Sequence, residues 1–421
     1  MTSAATVGVM AETSGARRED GNGMNDNGEK GPSPPHRADT RVVTAGRHPP
    51  SYHGFINPPV YHASTLIYPS AEDYVAHRGR YQYGRVGTPT TEALESALME
   101  LEGPRCAGVA LLPSGLAAIS TALLAVVKAG DHLLVTDTAY GPTRAFCEQI
   151  LPRFGVTTSF YDPMIGAEIA ALVRPDTRAV YLESPGSLSF EVQDVDAVAK
   201  AAHDKGVIVL MDNTWATPLF FRPLDHGVDL VIQAGTKYIG GHSDVMLGTV
   251  SANATHVAAL KQTTFLYGLC EGPDDVYLGL RGLRTLAVRL DRHCKSGLEI
   301  ARWLEQRPEV LRVLHPAMPS CPGHELWRRD YAGASGLFSI VLRPVPQQAV
   351  YAFLDALTLF GIGPSWGGYE SLAIPFDLAP ARTATHWAPG GPTVRFHIGL
   401  EAAADLTADL ERGFAALAAA A

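Results

Sequence analysis

The chain has 421 residues, 46% of them hydrophobic and 18% charged, against roughly 25% charged in an average protein. That composition excludes disorder for the bulk of the chain and supplies core for two or three domains. A net charge of −9 argues against nucleic acid or an anionic membrane surface as a partner, so any anion site must be built locally.

Residues 1–40 contain no aromatic side chain and are rich in Gly, Ser, Asn and charge, which predicts a disordered tail. The N-terminus has no basic region followed by an apolar one, and Glu19 and Asp20 after Arg17-Arg18 spoil a twin-arginine reading. Residues 41–87, with Tyr52, Phe55, Tyr61 and Tyr83 spread among prolines, read as an arm that packs against another surface, such as a second subunit. From residue 92 helical and extended segments alternate: TEALESALMELEG, VALL, LAAISTALLAVVKAG, HLLVT, PTRAFCEQILPRFG, VTTSFYD, a helix around GAEIAALV, RAVYLES, VDAVAKAAHDKG, VIVLMD and VDLVIQ. Short β-branched runs separated by helices predict an α/β domain, residues 88–283, on a mainly parallel sheet.

The stretch 106–127 carries no charge and has about the length of a bilayer span. Pro113, Ser114 and Gly115 break it into a buried strand, a tight turn and a helix, so no membrane is expected. Beyond residue 275 one long amphipathic helix is expected through VYLGLRGLRTLAVRLDRHCKSGLEIARWLEQ, then strands VLRVLH, LFSIVLRP and TVRFHIG with helices QQAVYAFLDAL and ADLTADLERGFAAL. Residues 284–421 read as a smaller α+β C-terminal domain. The five cysteines show no C-x-x-C spacing, which favours free thiols in a reducing, cytoplasmic compartment.

Ligands of open parallel sheets bind beyond the carboxyl ends of the strands. There the sequence places Pro113-Ser114-Gly115, Asp137 to Tyr140, Asp212 to Trp215, and Ala234 to Lys237, four clusters expected to share one crevice. Ser114-Gly115-Leu116 at a helix start can bind an anion or simply begin a helix. Asp212 ends an apolar strand, as a cap, a salt-bridge partner or a functional acid. Lys237 follows a buried strand among small residues, either as a snorkelling surface lysine or as an amine whose pKa desolvation lowers, which suits Schiff-base chemistry. Together an amine, a phosphate cradle, an aromatic ring (Tyr140) and an acid match the needs of pyridoxal 5'-phosphate. No G-x-G-x-x-G supports a dinucleotide. His242 has no second ligand at metal spacing, so no metal is expected.

The run from Gln233 to Asp244, QAGTKYIGGHSD, resembles the lysine signature of the Cys/Met-metabolism pyridoxal phosphate enzymes. YGRVGTPTTEALE, ESPGS, MDNTWATP, RGLRTL, SWGGYESL and VRFHIGLE extend the likeness over nearly everything after residue 41, with the bacterial β-lyases of the family most similar. The resemblance implies pyridoxal phosphate fold type I, the aspartate-aminotransferase-like pairing of a large and a small domain, and a homotetramer of two catalytic dimers. It implies a carbon–sulfur lyase acting on a small sulfur amino acid. On this likeness Lys237 forms the Schiff base and shuttles the proton, Asp212 pairs with the pyridine nitrogen, and Tyr140 stacks on the ring. Gly115, Leu116 and Thr236 hold the phosphate, helped by Tyr83 and Arg85 from a neighbouring subunit. Arg395 clamps the substrate α-carboxylate beside Ser365 and Trp366. Three positions depart from the family pattern: Ala234 replaces a Ser, Val86 an Arg, and Pro364 a Tyr, the last two at the distal end of the substrate site.

Overall fold

The computed structural model describes residues 36–421, so most of the expected N-terminal tail lies outside the described residues. The apolar runs form β1 (Gly108–Leu112), β2 (His132–Thr136), β3 (Thr157–Tyr161), β4 (Thr177–Glu183), β5 (Ile208–Asp212), β6 (Leu230–Gln233) and β7 (Gly248–Ala252) of a seven-stranded sheet ordered β1-β7-β6-β5-β4-β2-β3. β1, β2, β5 and β6 are buried along their whole length, which is why they read as continuous apolar runs rather than alternating ones. β3, β2, β4, β5 and β6 pair in parallel, whereas β7 runs antiparallel to both β6 and β1. β7 was not expected: its sequence GTVSA is built of small and hydroxyl side chains, and Thr249 and Ser251 are buried only because the sheet surrounds them.

A second sheet contains β8 (Val310–Leu314), β9 (Leu337–Leu342), β10 (Leu372–Phe376) and β11 (Thr393–His397) in the order β10-β11-β9-β8, all antiparallel. The single long helix expected before it is two helices, Pro273–Leu283 and Leu286–Glu305, separated at Arg284 and Thr285. Leu286 and Leu290 pack into the core of the first sheet, while Ile300, Ala301 and Leu304 belong to the core of the second, so the later helix ties the two together. GAEIAALV shrinks to a 3-10 turn at Gly166–Ala171, and Pro152 closes the α-helix Gly141–Gln149 into a separate turn. In the arm, the helix Ala38–Thr44 buries Val42 against its own chain, where Arg284 donates to the Val42 and Ala45 carbonyls at 2.9 and 2.8 Å.

One buried acid joins the two sheets next to the crevice. Asp137, at the end of β2, accepts the Thr383, Ala384 and Thr385 backbone N–H groups, at 3.0, 3.1 and 2.8 Å to their nearer carboxylate oxygens, and pairs with Arg144 at 2.5 Å. Burial by itself pushes this carboxyl up, but these hydrogen bonds outweigh burial and hold it below the usual carboxylate range. Its contribution to stability is therefore present above the unfolded carboxyl pKa and is lost as pH falls through the lower folded value. Asp137→Ala leaves the buried Arg144 with only the half-exposed Glu148 as a partner and frees three backbone N–H groups, and is expected to cost about 2–4 kcal/mol, read as a lowered Tm in thermal unfolding.

Candidate active site

The carboxyl ends of the parallel strands open on a cavity of about 550 Å³. Gly115, Leu116, Tyr140, Asp212, Thr236, Lys237, Trp366 and Arg395 all line it, together with Ala234 and Pro364. Ser365 joins them by accepting a hydrogen bond from Lys237 Nζ at 2.8 Å. The four expected strand-end clusters do converge.

Each position has a local cause. Ser114 caps the helix Gly115–Leu124, its hydroxyl accepting from the Ala117 N–H at 3.1 Å. The Gly115 and Leu116 N–H groups ahead of it have no carbonyl one turn back, so they point out of the positive helix end. Gly115 is required by close approach: a Cβ there would lie 2.6 Å from the Ala234 Cβ. The Thr236 hydroxyl accepts the Leu247 N–H at 2.9 Å and lies 3.2 Å from the Leu247 carbonyl, which pins the lysine turn to the start of β7.

The electrostatics are those of a site that holds a cation and keeps an amine reactive. Asp212 is buried, and Thr214 gives both its N–H (2.9 Å) and its hydroxyl (2.5 Å) to Oδ1, while Oδ2 takes no hydrogen bond from the described residues. Burial raises the Asp212 carboxyl, opposed by the Thr214 hydrogen bonds and the Lys237 charge. Burial and the nearby Arg395 charge pull the Lys237 amine down to about 8, with Asp212 pulling the other way. Arg395 donates to the carbonyls of Pro364 (3.0 Å), Gly363 (3.1 Å) and Ser365 (3.0 Å), which fixes the guanidinium at the cavity wall.

Two site residues escaped the sequence reading. Glu183 ends β4 directly beside Asp212 on β5, and its Oε2 accepts the Tyr140 N–H at 2.7 Å. Burial first, then the Asp212 charge, hold its carboxyl well above the ordinary range, more strongly than the neighbouring Asp212 carboxyl is raised. The signal was an acid closing the apolar run RAVYLE, the same pattern that singled out Asp212. The second is His397, buried two positions after Arg395, whose role only its neighbours reveal. Tyr83 and Arg85 do not line the cavity of their own chain: Tyr83 is 45% exposed, and Arg85 donates to the Phe265 carbonyl at 2.9 Å. His242 is tied to the Gly240 carbonyl at 2.8 Å.

These residues meet the demands of pyridoxal 5'-phosphate: an amine for its aldehyde, helix-end N–H groups for its phosphate, a ring beside it, and in Asp212 a carboxylate oxygen left for a protonated pyridine. The fold and site define a pyridoxal phosphate enzyme of fold type I. The chain belongs to the Cys/Met metabolism PLP-dependent enzyme family, whose model matches residues 39–415. It is 54% identical over 384 residues to a putative cystathionine β-lyase of Rhizobium johnstonii, covering 90% of this chain and 96% of that one. It is 45% identical to the cystathionine β-lyase of Escherichia coli, covering 90% and 98%. A crystal structure of cystathionine γ-synthase from Xanthomonas oryzae, with aminoacrylate and cysteine, superposes with a TM-score of 0.85 at 33% identity, covering 92% of this chain and all of that one.

The depressed Lys237 amine predicts how the protein takes up its cofactor. Only the neutral amine attacks an aldehyde, so capture of pyridoxal phosphate by the apoprotein should speed up as pH rises through about 8 and level off above about 9. Stopped-flow absorbance measures this rate; a rise continuing past pH 10 would mean that the amine is not depressed.

Proposed function

We propose that the protein is a carbon–sulfur β-lyase that cleaves L-cystathionine to homocysteine, pyruvate and ammonia, the penultimate step of methionine synthesis by transsulfuration. The observation that carries this reading is a single cavity holding Lys237, Asp212 with one free carboxylate oxygen, and Arg395, in a chain 54% and 45% identical to proteins named cystathionine β-lyase. Arg395 binds the substrate α-carboxylate through its planar, two-pronged donor face. Lys237 Nζ takes the Cα proton, and Ser365 Oγ orients that amine. Bound pyridoxal phosphate supplies the electron sink that lets the Cα–H bond break. Asp212 keeps the pyridine nitrogen protonated, and Tyr140 covers the ring from the crevice wall. The thiolate leaves Cβ as homocysteine, and water converts the remaining 2-aminoacrylate to pyruvate and ammonia.

We further propose that the working unit is a homotetramer of two catalytic dimers in the cytoplasm, each site receiving Tyr83 and Arg85 from its neighbour at the cofactor phosphate. Supporting this, both residues lie off their own cavity, and the arm exposes Phe55, Ile56, Ile67, Tyr74 and Val75. Val86 and Pro364 leave the distal end less polar than the family pattern, which bears on how the second amino-acid head of cystathionine is held. The test is to incubate the loaded protein with L-cystathionine, L-cystine and S-alkyl cysteines and assay keto acids. Pyruvate from cystathionine supports the proposal; 2-oxobutyrate would reassign the reaction to γ-elimination, and pyruvate from S-alkyl cysteines alone would reassign the substrate.

A further inference from the structure

β11 grips one loop at two points. Arg395 and His397 are two positions apart in this strand and so project from the same face, while Phe396 points into the core of the second sheet. The Arg395 guanidinium holds the carbonyls of residues 363, 364 and 365. His397 Nε2 lies 3.1 Å from the Gly367 nitrogen and 3.2 Å from the Gly368 carbonyl oxygen, so it meets the same loop as acceptor in one tautomer and as donor in the other.

The held loop presses on the reactive lysine. Gly367 sits at φ +85, and a Cβ there would lie 3.0 Å from both the Lys237 carbonyl carbon and the Tyr238 nitrogen, so its backbone rests on the peptide that follows the lysine. From the same loop Ser365 Oγ accepts from Lys237 Nζ at 2.8 Å, and the Trp366 ring lies 5.4 Å from that nitrogen. His397 is wedged among rings that fix its place: His293 at 5.2 Å and Tyr238 at 6.2 Å between centroids, with Tyr238 itself 5.5 Å from Trp366. Burial, and then the neighbouring His293, pull the His397 imidazole well below its ordinary pKa, opposed by its contact with the Gly368 carbonyl.

We propose that His397 is a positioning residue for the reaction: by hydrogen-bonding through Nε2 to the Gly367–Gly368 backbone it sets the 363–368 loop so that Ser365 orients the Lys237 amine. The contact path runs from His397 through Gly367 to Ser365 and Lys237 Nζ. No charge change is involved; the neutral ring acts as a fixed hydrogen-bonding partner on a strand that also carries Arg395. The proposal rests on Lys237 being the reactive amine of the function argued above.

The test compares His397→Leu, which removes the hydrogen-bonding nitrogen, with His397→Gln, whose carboxamide can accept or donate at a similar distance. Each is made alone and in the Ser365→Ala background. The first readout is the rate at which the apoprotein captures pyridoxal phosphate; the second is kcat and KM for pyruvate release by the loaded enzyme. H397L is expected to slow capture about tenfold and lower kcat about tenfold to a hundredfold, with KM changed less than about threefold. H397Q should recover most of both losses, and in the S365A background H397L should cost little more than S365A alone. The proposal is overturned if H397L leaves capture and kcat within about twofold of wild type. It is equally overturned if H397Q falls as far as H397L, or if the H397L and S365A losses multiply. Should H397L not fold, judged by Tm, His397→Met, of similar length and without a strong acceptor, takes its place. Wild-type protein that captures cofactor but releases no keto acid would sink the β-lyase reading and leave the capture comparison standing.

Discussion

Lys237→Ala is expected to lower keto-acid release from cystathionine about ten-thousandfold or more and to remove the visible absorbance of the lysine-bound cofactor. The magnitude follows from losing two functions in one side chain. In the proposed reaction it provides covalent attachment of the cofactor, and as the base at Cα it would contribute by itself about a hundredfold to ten-thousandfold. No other described lysine lines the cavity, so no second amine stands ready to replace it. The protein should remain folded, because the amine is partly exposed and its only hydrogen bond to the described residues is to Ser365. Steady-state pyruvate assay with an absorbance scan checks both halves. Full activity with retained absorbance would overturn the assignment of Lys237.

Asp212→Ala should lower kcat about a hundredfold to a thousandfold, the range set by removing one preorganised group that stabilises developing charge. The physical reason is the free Oδ2. Thr214 takes up Oδ1 alone, so the carboxylate is aimed and partly satisfied yet still has a charge to give to a pyridine proton. Asp212→Asn should fall almost as far, because a carboxamide has no charge with which to keep that nitrogen protonated. Glu183 is poorly suited to substitute, since burial pushes its carboxyl well up and its Oε2 already accepts the Tyr140 N–H. The discriminating measurement is cofactor affinity beside kcat. A loss confined to affinity, with kcat intact at saturating cofactor, would make Asp212 an anchor rather than an electrostatic partner.

Much of this site was legible along the chain because strand ends announce themselves. Asp212 and Lys237 stand out as ionisable groups closing buried apolar runs, and Gly115 as a break between a strand and a helix. Arg395 was legible only through the family likeness, as its strand VRFHIG looks like any half-buried edge. Glu183 carried the same signal as Asp212, yet how far its carboxyl is raised depends on which strand lies beside it, and register is a tertiary fact. The misread long helix is a related case: RGLRTL keeps helical periodicity through Arg284, while the chain breaks there so that Arg284 can reach the Val42 and Ala45 carbonyls.

The sequence by itself determined the α/β class, the strand ends, the cofactor and the family, since apolar runs and a few ionisable residues at their ends are local patterns that need no partner to be seen. The reversal of β7 came from the tertiary structure, as did the clamp of Asp137 on residues 383–385 and the hold of His397 on the loop beside Lys237. Each depends on side chains far apart in sequence meeting in a buried, low-dielectric space, where a single hydrogen bond or neighbouring charge decides whether a group is neutral, fixed or reactive.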